Sequence, residues 1–221
     1  MPYWKWEGTN GADTQKNDSN YTEMYGWGGK DKLTGNSQRD YINGGDGNDT
    51  ISGKGGHDVL EGGAGADNIS GNNGNDIILG DSNTGRSGGD TLKGGNGKDR
   101  IEGQGGNDTL KGGKHRDILS GDEGNDNLYG GAGADAFAFI QDRDYKWADG
   151  NLGWDTIHDY QANDKLFFSD TNVNVVAMDD LVLVYSNNVV VSIEGANLHD
   201  VQNSIVRGAD AYDVSEFVGL I

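Results

Sequence analysis

From Gly8 onward the chain repeats every nine residues in the pattern G-x-x-G-x-D-x-U-x, where U is a large aliphatic side chain. Units begin at Gly8, Asn17, Gly26, Gly35, Gly44, Gly53, Gly62 and Gly71 without a slip. Five residues, Gly80 to Thr84, then intervene, and units follow at Gly85, Gly94, Gly103, Gly112, Gly121 and Gly130. The eighth position runs Gln15, Met24, Leu33, Ile42, Ile51, Leu60, Ile69, Ile78, Leu92, Ile101, Leu110, Leu119, Leu128, Phe137. A fixed period of this kind marks a stack of identical structural steps. One large apolar residue in nine cannot form a helical stripe, which recurs every three or four residues. It suits a very short strand with one inward side chain in a narrow solenoid.

The other positions have their own reasons. Glycine permits the positive φ of a tight turn and lets backbone carbonyls approach a shared point. The sixth position is Asp in every unit except the second, which has Thr22. A carboxylate just after such a turn is a hard oxygen ligand, and sets of hard oxygens select calcium. One unit can neither close a site nor bury its apolar residue, so stacking is obligatory.

Composition bears on two alternatives. With 33% hydrophobic residues and 39 Gly, the chain could be disordered, because little apolar burial offsets the ordering entropy. A single Pro and the strict period argue against that reading. The net charge of −19 excludes phosphate-based nucleic-acid binding, and at fixed Asp spacing it points to counter-cations. There is no Cys, so disulfides and thiolate metal sites are excluded. No apolar run reaches the length of a transmembrane helix.

From Gly8 to Phe139 the sequence closely resembles the nonapeptide G-G-x-G-x-D-x-U-x of the repeats-in-toxin (RTX) family. The resemblance implies an all-β parallel β-roll, with two units per coil and turns alternating between two sides. Each calcium would sit between the turns of units n and n+2, held by backbone carbonyls and both Asp carboxylates. Alternate units give two columns, provided the Gly80–Thr84 insertion bulges outward. One begins at Asp13 and continues through Asp31, Asp49, Asp67, Asp90, Asp108 and Asp126; the other runs Asp40, Asp58, Asp76, Asp99, Asp117, Asp135. The turn glycines implied beside them are Gly44, Gly47, Gly53, Gly56, Gly62, Gly65, Gly94, Gly97, Gly103, Gly106, Gly121 and Gly124. The intervals give up to about 11 calcium ions, whose charge would nearly cancel the acidity. Sites at the first two units are expected to be weak or absent, since unit two lacks its Gly and Asp and unit one has Gln15 in the core. Weakened sites are expected beside Gln38 and His115, which replace a turn glycine.

The expected organisation is a cap with degenerate repeats over 1–25, the calcium-binding β-roll over 26–139, and a carboxyl-terminal cap and secretion region over 140–221. Tyr3, Trp4, Trp6, Tyr21, Tyr25 and Trp27 gather at the amino end. They read as an aromatic cap, with a sugar-stacking surface as the alternative. After the repeats, Ala136 to Ile140, Trp154 to Tyr160, Lys165 to Phe168, Leu181 to Tyr185 and Val189 to Ile193 alternate like strands. Asn187-Asn188 suits a hairpin turn, and Asn197 caps a short helix to Val206. The stretches A-D-A-F-A-F and D-T-I-H-D-Y-Q-A-N-D-K-L resemble the segment after the roll in serralysin-type exoproteins. That resemblance implies a further calcium at Asp155, Asp159 and Asp164.

The N-terminus lacks a signal-peptide apolar stretch, while Glu216-Phe217-Val218-Gly219-Leu220-Ile221 resembles the uncleaved type I secretion signal of the family. A closing edge strand is the other reading of that tail. None of the four His lies in H-E-x-x-H, there is no G-x-S-x-G, and the repeat begins seven residues after Met1. The reading is therefore a bacterial extracellular protein without catalysis. It is expected to be a monomer whose calcium-induced folding is coupled to type I secretion and which associates with a cell surface or exopolysaccharide. The alternative is the secretion and folding module of an extracellular protease, lipase or alginate epimerase.

Overall fold

The computed structural model describes residues 4–17, 21–82, 86–139, 153–168, 173–178, 181–185 and 190–207. The strands of the repeat region are β1 (Trp4–Glu7), β2 (Thr14–Lys16), β3 (Tyr21–Tyr25), β4 (Lys32–Thr34), β5 (Tyr41–Asp46), β6 (Thr50–Gly55), β7 (Val59–Ala64), β8 (Asn68–Asn73), β9 (Ile77–Asp81), β10 (Thr91–Asn96), β11 (Arg100–Glu102), β12 (Thr109–Lys114), β13 (Ile118–Ser120), β14 (Asn127–Ala132) and β15 (Ala136–Phe139). Beyond them lie β16 (Trp154–Ile157), β17 (Lys165–Phe168), β18 (Asn174–Met178), β19 (Leu181–Tyr185), β20 (Val190–Glu194), α1 (Leu198–Ser204) and β21 (Ile205–Arg207).

These strands form two stacked sheets, as a β-roll requires. The odd strands β1 to β17 lie side by side in order and end on β21. The even strands β2 to β16 form the second sheet, extended by β20, β19 and β18. Neighbours within the regular repeat are parallel and 18 residues apart, as in Ile42 beside Leu60 and Ile51 beside Ile69. Among the described strands only β18, β19 and β20 pair antiparallel.

The eighth-position side chain points between the sheets while its two neighbours point outward, because strand side chains alternate. Leu33, Ile42, Leu60, Leu92, Leu110 and Leu128 are each 0% exposed, and the file continues through Phe137, Ile157, Leu166 and Ile193. Burying each such side chain contributes about 1.5–3 kcal/mol. Gln15 starts the even-sheet file, where the stack ends and its amide donates to Lys16 O at 3.2 Å.

Fourth-position glycines have a steric cause. At Gly47, φ is +140°, and a Cβ there would overlap the carbonyl oxygen of Gly29 in the turn below. Left-handed backbone is also imposed on non-glycine residues, Lys54 at φ 79° and His115 at φ 79° among them. Such residues cost about 1–2 kcal/mol each.

The interruption lies elsewhere than the sequence pattern suggests. Gly80 borders Asp90 Oδ2, as a first-position glycine does, and Asp81 pairs with Gly63 in the second position. Gly88 stacks on Gly65 as a fourth position. The five added residues are thus 82–86, inside a unit. With glycines at both 80 and 85 the sequence admits either register; the direct continuation of β9 selects Gly80. Gly85 itself lies outside the described residues.

Of the amino-terminal aromatics, Trp6 packs on the core, Tyr25 lies 5.5 Å from Tyr41 and 6.5 Å from Trp27, and Trp27 is 53% exposed. Tyr3 lies outside the described residues. At the other end, β16 and β17 add one more coil, with Thr156 beside Asn127 and Lys165 beside Ala136. The helix is shorter than expected, 198–204, because the chain turns into β21; Asn197 caps it, accepting from the Asp200 amide at 2.9 Å. Strand β18 is an addition to the expected elements. Ile140, the Asn187-Asn188 turn and the Glu216–Ile221 tail lie outside the described residues.

Candidate metal centres

The sixth-position aspartates sit where each turn enters its strand, and stacking places them above one another. The backbone N–H of each donates to Oδ1 of the Asp in the next turn of its column. In the first column these bonds link Asp13, Asp31, Asp49, Asp67, Asp90, Asp108 and Asp126 at 2.6–2.8 Å. In the second they link Asp40, Asp58, Asp76, Asp99, Asp117 and Asp135 at 2.8–2.9 Å. The insertion disturbs neither column.

Both columns continue past the repeat. Asp126 N donates to Asp155 Oδ1 at 3.0 Å, and Asp135 N to Asp164 Oδ1 at 2.9 Å. Asp159 stands apart: its two oxygens accept from the amides of Gly130 and Gly131. It anchors the extra coil to the last repeat instead of joining a column.

One oxygen of each interior aspartate is thereby satisfied and the other is not. Oδ2 is buried without a hydrogen-bond partner in Asp31, Asp49, Asp58, Asp67, Asp76, Asp90, Asp99, Asp108, Asp117, Asp126, Asp135 and Asp155. Each Oδ2 in the repeat borders its own first-position glycine, whose other side is commonly lined by a carbonyl two units on. A Cβ on Gly44 would collide with Asp49 Oδ2 and lie 2.6 Å from Gly62 O; Gly53, Gly62, Gly94, Gly103 and Gly121 also border their own Asp Oδ2. The fourth-position Gly47, Gly56, Gly65, Gly97, Gly106 and Gly124 all adopt positive φ and stack over the carbonyls of the turn below.

Burial without a partner raises these carboxyls. Desolvation, only partly offset by the amide bond, puts Asp58, Asp67, Asp90, Asp99 and Asp135 at about 7. It pushes Asp108 and Asp117 to about 9. Orphaned acceptors that resist holding bare charge are the donor set a hard divalent cation satisfies. Among the described residues no three carboxylate or imidazole groups share one point. Each interval sets two stacked carboxylates beside turn carbonyls, hard oxygens of the kind calcium takes.

A family model described as the RTX calcium-binding nonapeptide repeat matches residues 25–60, 52–83, 84–114 and 112–138, over half of the chain. The chain belongs to that RTX family. No curated protein matches it. Among solved structures, it is similar to the extracellular lipase LipA of Serratia marcescens at 19% identity and TM-score 0.44, covering 80% of this chain. It spans 40% of the lipase's length. It is also similar to a subunit of the Azotobacter vinelandii mannuronan C5-epimerase at 26% identity and TM-score 0.25, covering 66% of this chain and 80% of that one.

Column ends differ from column interiors. Oδ2 of Asp13, Asp40 and Asp164 accepts a backbone amide, from Thr9, Asn36 and Gln161 respectively. Unit two lacks its Asp, and the buried Asn17 side chain takes that place, its Nδ2 donating to Asp40 Oδ1 at 2.9 Å. At the two substituted turn glycines the stack persists. Gln38 O faces Gly56 and His115 O faces Gly133, as glycine carbonyls do elsewhere.

The outer faces of the two sheets carry opposite charge. Strands β2 to β14 of the even sheet contain Lys16, Lys32, Lys54, Lys93, Lys111 and Lys114 and no carboxylate. Strands β1 to β15 of the odd sheet present the exposed or half-buried Glu7, Glu23, Asp46, Glu61 and Glu102, while their Asp81 is buried. Their two cations, Lys5 and Arg100, pair with Glu7 and Glu102 at 2.6 and 2.5 Å. At the carboxyl end of the lysine face, Tyr129 stacks on His158 at 4.6 Å, and Lys111 lies over the Tyr129 ring.

Proposed function

We propose that this protein is an extracellular, non-catalytic module that calcium folds and that then binds an anionic surface, such as an acidic exopolysaccharide or cell envelope. The segregation of charge carries the surface-binding half of this reading. A chain of net charge −19 nevertheless gathers six strand lysines on one sheet, at rungs about 4.8 Å apart. Such an array matches a polymer of repeating negative charge. Calcium folding builds the array, since the lysines share a face only when the coils stack. The eight and seven carboxylates of the two columns offer seven and six intervals for calcium, held by Asp13 to Asp155 and Asp40 to Asp164 with the turn carbonyls.

The test uses the calcium-loaded protein against immobilised dextran sulfate and neutral dextran. Binding to the sulfated polymer alone, weakening with salt and lost in Lys93→Glu/Lys111→Glu, is the expected result. Equal binding by that variant, with its calcium folding intact, overturns the assignment of the face.

Export is the second part of the proposal. Calcium is scarce in cytosol, and extracellular modules bind it at about 10⁻⁴–10⁻³ M. A chain folding only above that threshold stays threadable inside the cell. Deleting 215–221 is expected to retain the protein inside a cell with a type I exporter; normal yield in the medium overturns that role for the tail.

A further inference from the structure

From the second coil onward, the described second-position residues of the odd-sheet turns follow one backbone rule, with one exception. Trp27, Gly45, Gly63, Gln104 and Asp122 all have φ between 65° and 109°. Asp81 occupies the same rung, beside Gly63, yet it is absent from the left-handed set and instead ends strand β9. It is the residue immediately before the inserted 82–86. The longer turn frees position 81 from the left-handed backbone of a tight turn, and its side chain is buried at 1% exposure.

The Asp81 carboxylate is only half satisfied there. Oδ2 accepts from the Gly105 amide at 3.3 Å, and the Gly88 amide also faces the carboxylate. Oδ1 is buried with no partner. Gln104, which precedes Gly105 and holds the second position of the next turn, has its own Oε1 buried and unpartnered. Asp81 Oδ1 is thus left over beside the column, and Gln104 stands on the adjoining rung, since the two residues follow the paired Leu79 and Glu102 by two positions each. The column members Asp67, Asp90 and Asp108 lie near enough to interact electrostatically with Asp81. A buried carboxylate next to other carboxylates, with no Lys or Arg among the described residues bonded to it, calls for a cation.

We propose that Asp81 Oδ1 and Gln104 Oε1 form an additional divalent-cation site beside the first column, built by the insertion and outside the nonapeptide pattern. Water and backbone carbonyls would complete its coordination, as is usual for a calcium site with few carboxylates. The interrupted turn then adds a ligand to the roll at mid-length. The inference rests on the calcium-binding character of the columns and is independent of the lysine face.

The alternative is a rotated Gln104 amide whose Nε2 donates to Asp81, with no ion. The two differ in sign for Gln104→Glu. With a cation, a second carboxylate strengthens the site, and the calcium midpoint of folding falls. Without one, two buried carboxylates repel, and the midpoint rises. Calcium counted by native mass spectrometry is expected to drop by one ion in Asp81→Asn. An unchanged count in folded Asp81→Asn, or a raised midpoint in Gln104→Glu, overturns the site. Should Asp81→Asn fail to fold at saturating calcium, the direction of the Gln104→Glu shift decides. A wild-type protein that binds no calcium at all would instead overturn the reading of the columns.

Discussion

The amide of Asp126 donates to Asp155 Oδ1 at 3.0 Å across 29 residues of sequence. In the repeat the same bond spans 18 residues, as from Asp108 to Asp126. The longer span reflects residues added before a further unit, since 150–158 again reads G-x-x-G-x-D-x-U-x and Gly153, at φ 79°, stacks over the Gly124 carbonyl as a fourth-position glycine does. The column therefore continues through one further unit of the same pattern, with its Asp two residues before the inward Ile157.

Asp155, the last member of its column, is expected to serve as a ligand of the final interval. Its Oδ2 is buried and unpartnered, whereas Asp159 is fully engaged with the amides of Gly130 and Gly131. Asp155→Ala should raise the calcium midpoint of folding several-fold. Asp159→Ala, which loses two hydrogen bonds worth about 0.5–1.5 kcal/mol each, should chiefly lower thermal stability at saturating calcium. Circular dichroism with calcium titration separates the two; an unchanged midpoint in Asp155→Ala removes it from the column.

Interior and terminal aspartates should differ in the same assay. Asp108 is 0% exposed, serves the turns above and below, and has an unpartnered Oδ2. Asp13 is half-buried, ends its column and has Oδ2 bonded to Thr9. Asp108→Ala should raise the calcium midpoint well beyond Asp13→Ala. Equal shifts would contradict a column of shared carboxylates.

Period alone made most of the roll legible. Leu110 and Asp108 could be placed, one inward and one at the turn, because every ninth residue repeats the same demand. Asp155 and Asp164 also carried a signal, D-T-I and D-K-L nine residues apart, repeating the spacing of Asp126 and Asp135. Family resemblance pointed to them without separating them from Asp159, because only the fold shows which amides each carboxylate meets. The register at Gly80 was ambiguous for want of anything but a second glycine at 85. Asp81 had no local signal, since its burial follows from a longer turn, not from its own neighbours. Lys16, Lys32, Lys93 and Lys111 stand in the seventh and ninth positions of alternate units, but the lysine face becomes visible only when the two sheets are separated.

Turn backbone sets a further expectation. A Cβ on Gly47 would overlap Gly29 O, so Gly47→Ala must displace backbone and should cost about 3 kcal/mol or more. His115 already bears the left-handed cost at φ 79°, and its ring makes only an exposed contact with Lys114 O. His115→Gly should stabilise by about 1 kcal/mol. Thermal unfolding at fixed calcium reads both; a destabilised His115→Gly would mean that the imidazole holds the turn in a way its contacts do not reveal.

The raised carboxyls give the metal-free roll a pH dependence with a definite sign. In an unfolded chain Asp titrates near 3.9. In the metal-free roll burial holds Asp58, Asp67, Asp90, Asp99 and Asp135 at about 7 and Asp108 and Asp117 at about 9. Between these values the folded form binds more protons, so its stability falls as pH rises. The contribution is fully present below about pH 4 and is lost as pH climbs through about 7 to 9. Calcium opposes this by taking the place of the protons, so its binding should release them and should tighten as pH rises. In chelator, β structure should be greater at about pH 5 than at about pH 8. With calcium, the folding midpoint should fall several-fold from about pH 6 to about pH 8, and a weakly buffered solution at about pH 6.5 should acidify on calcium addition. A midpoint independent of pH, with no proton release, would mean that the aspartates are already charged before the ion arrives.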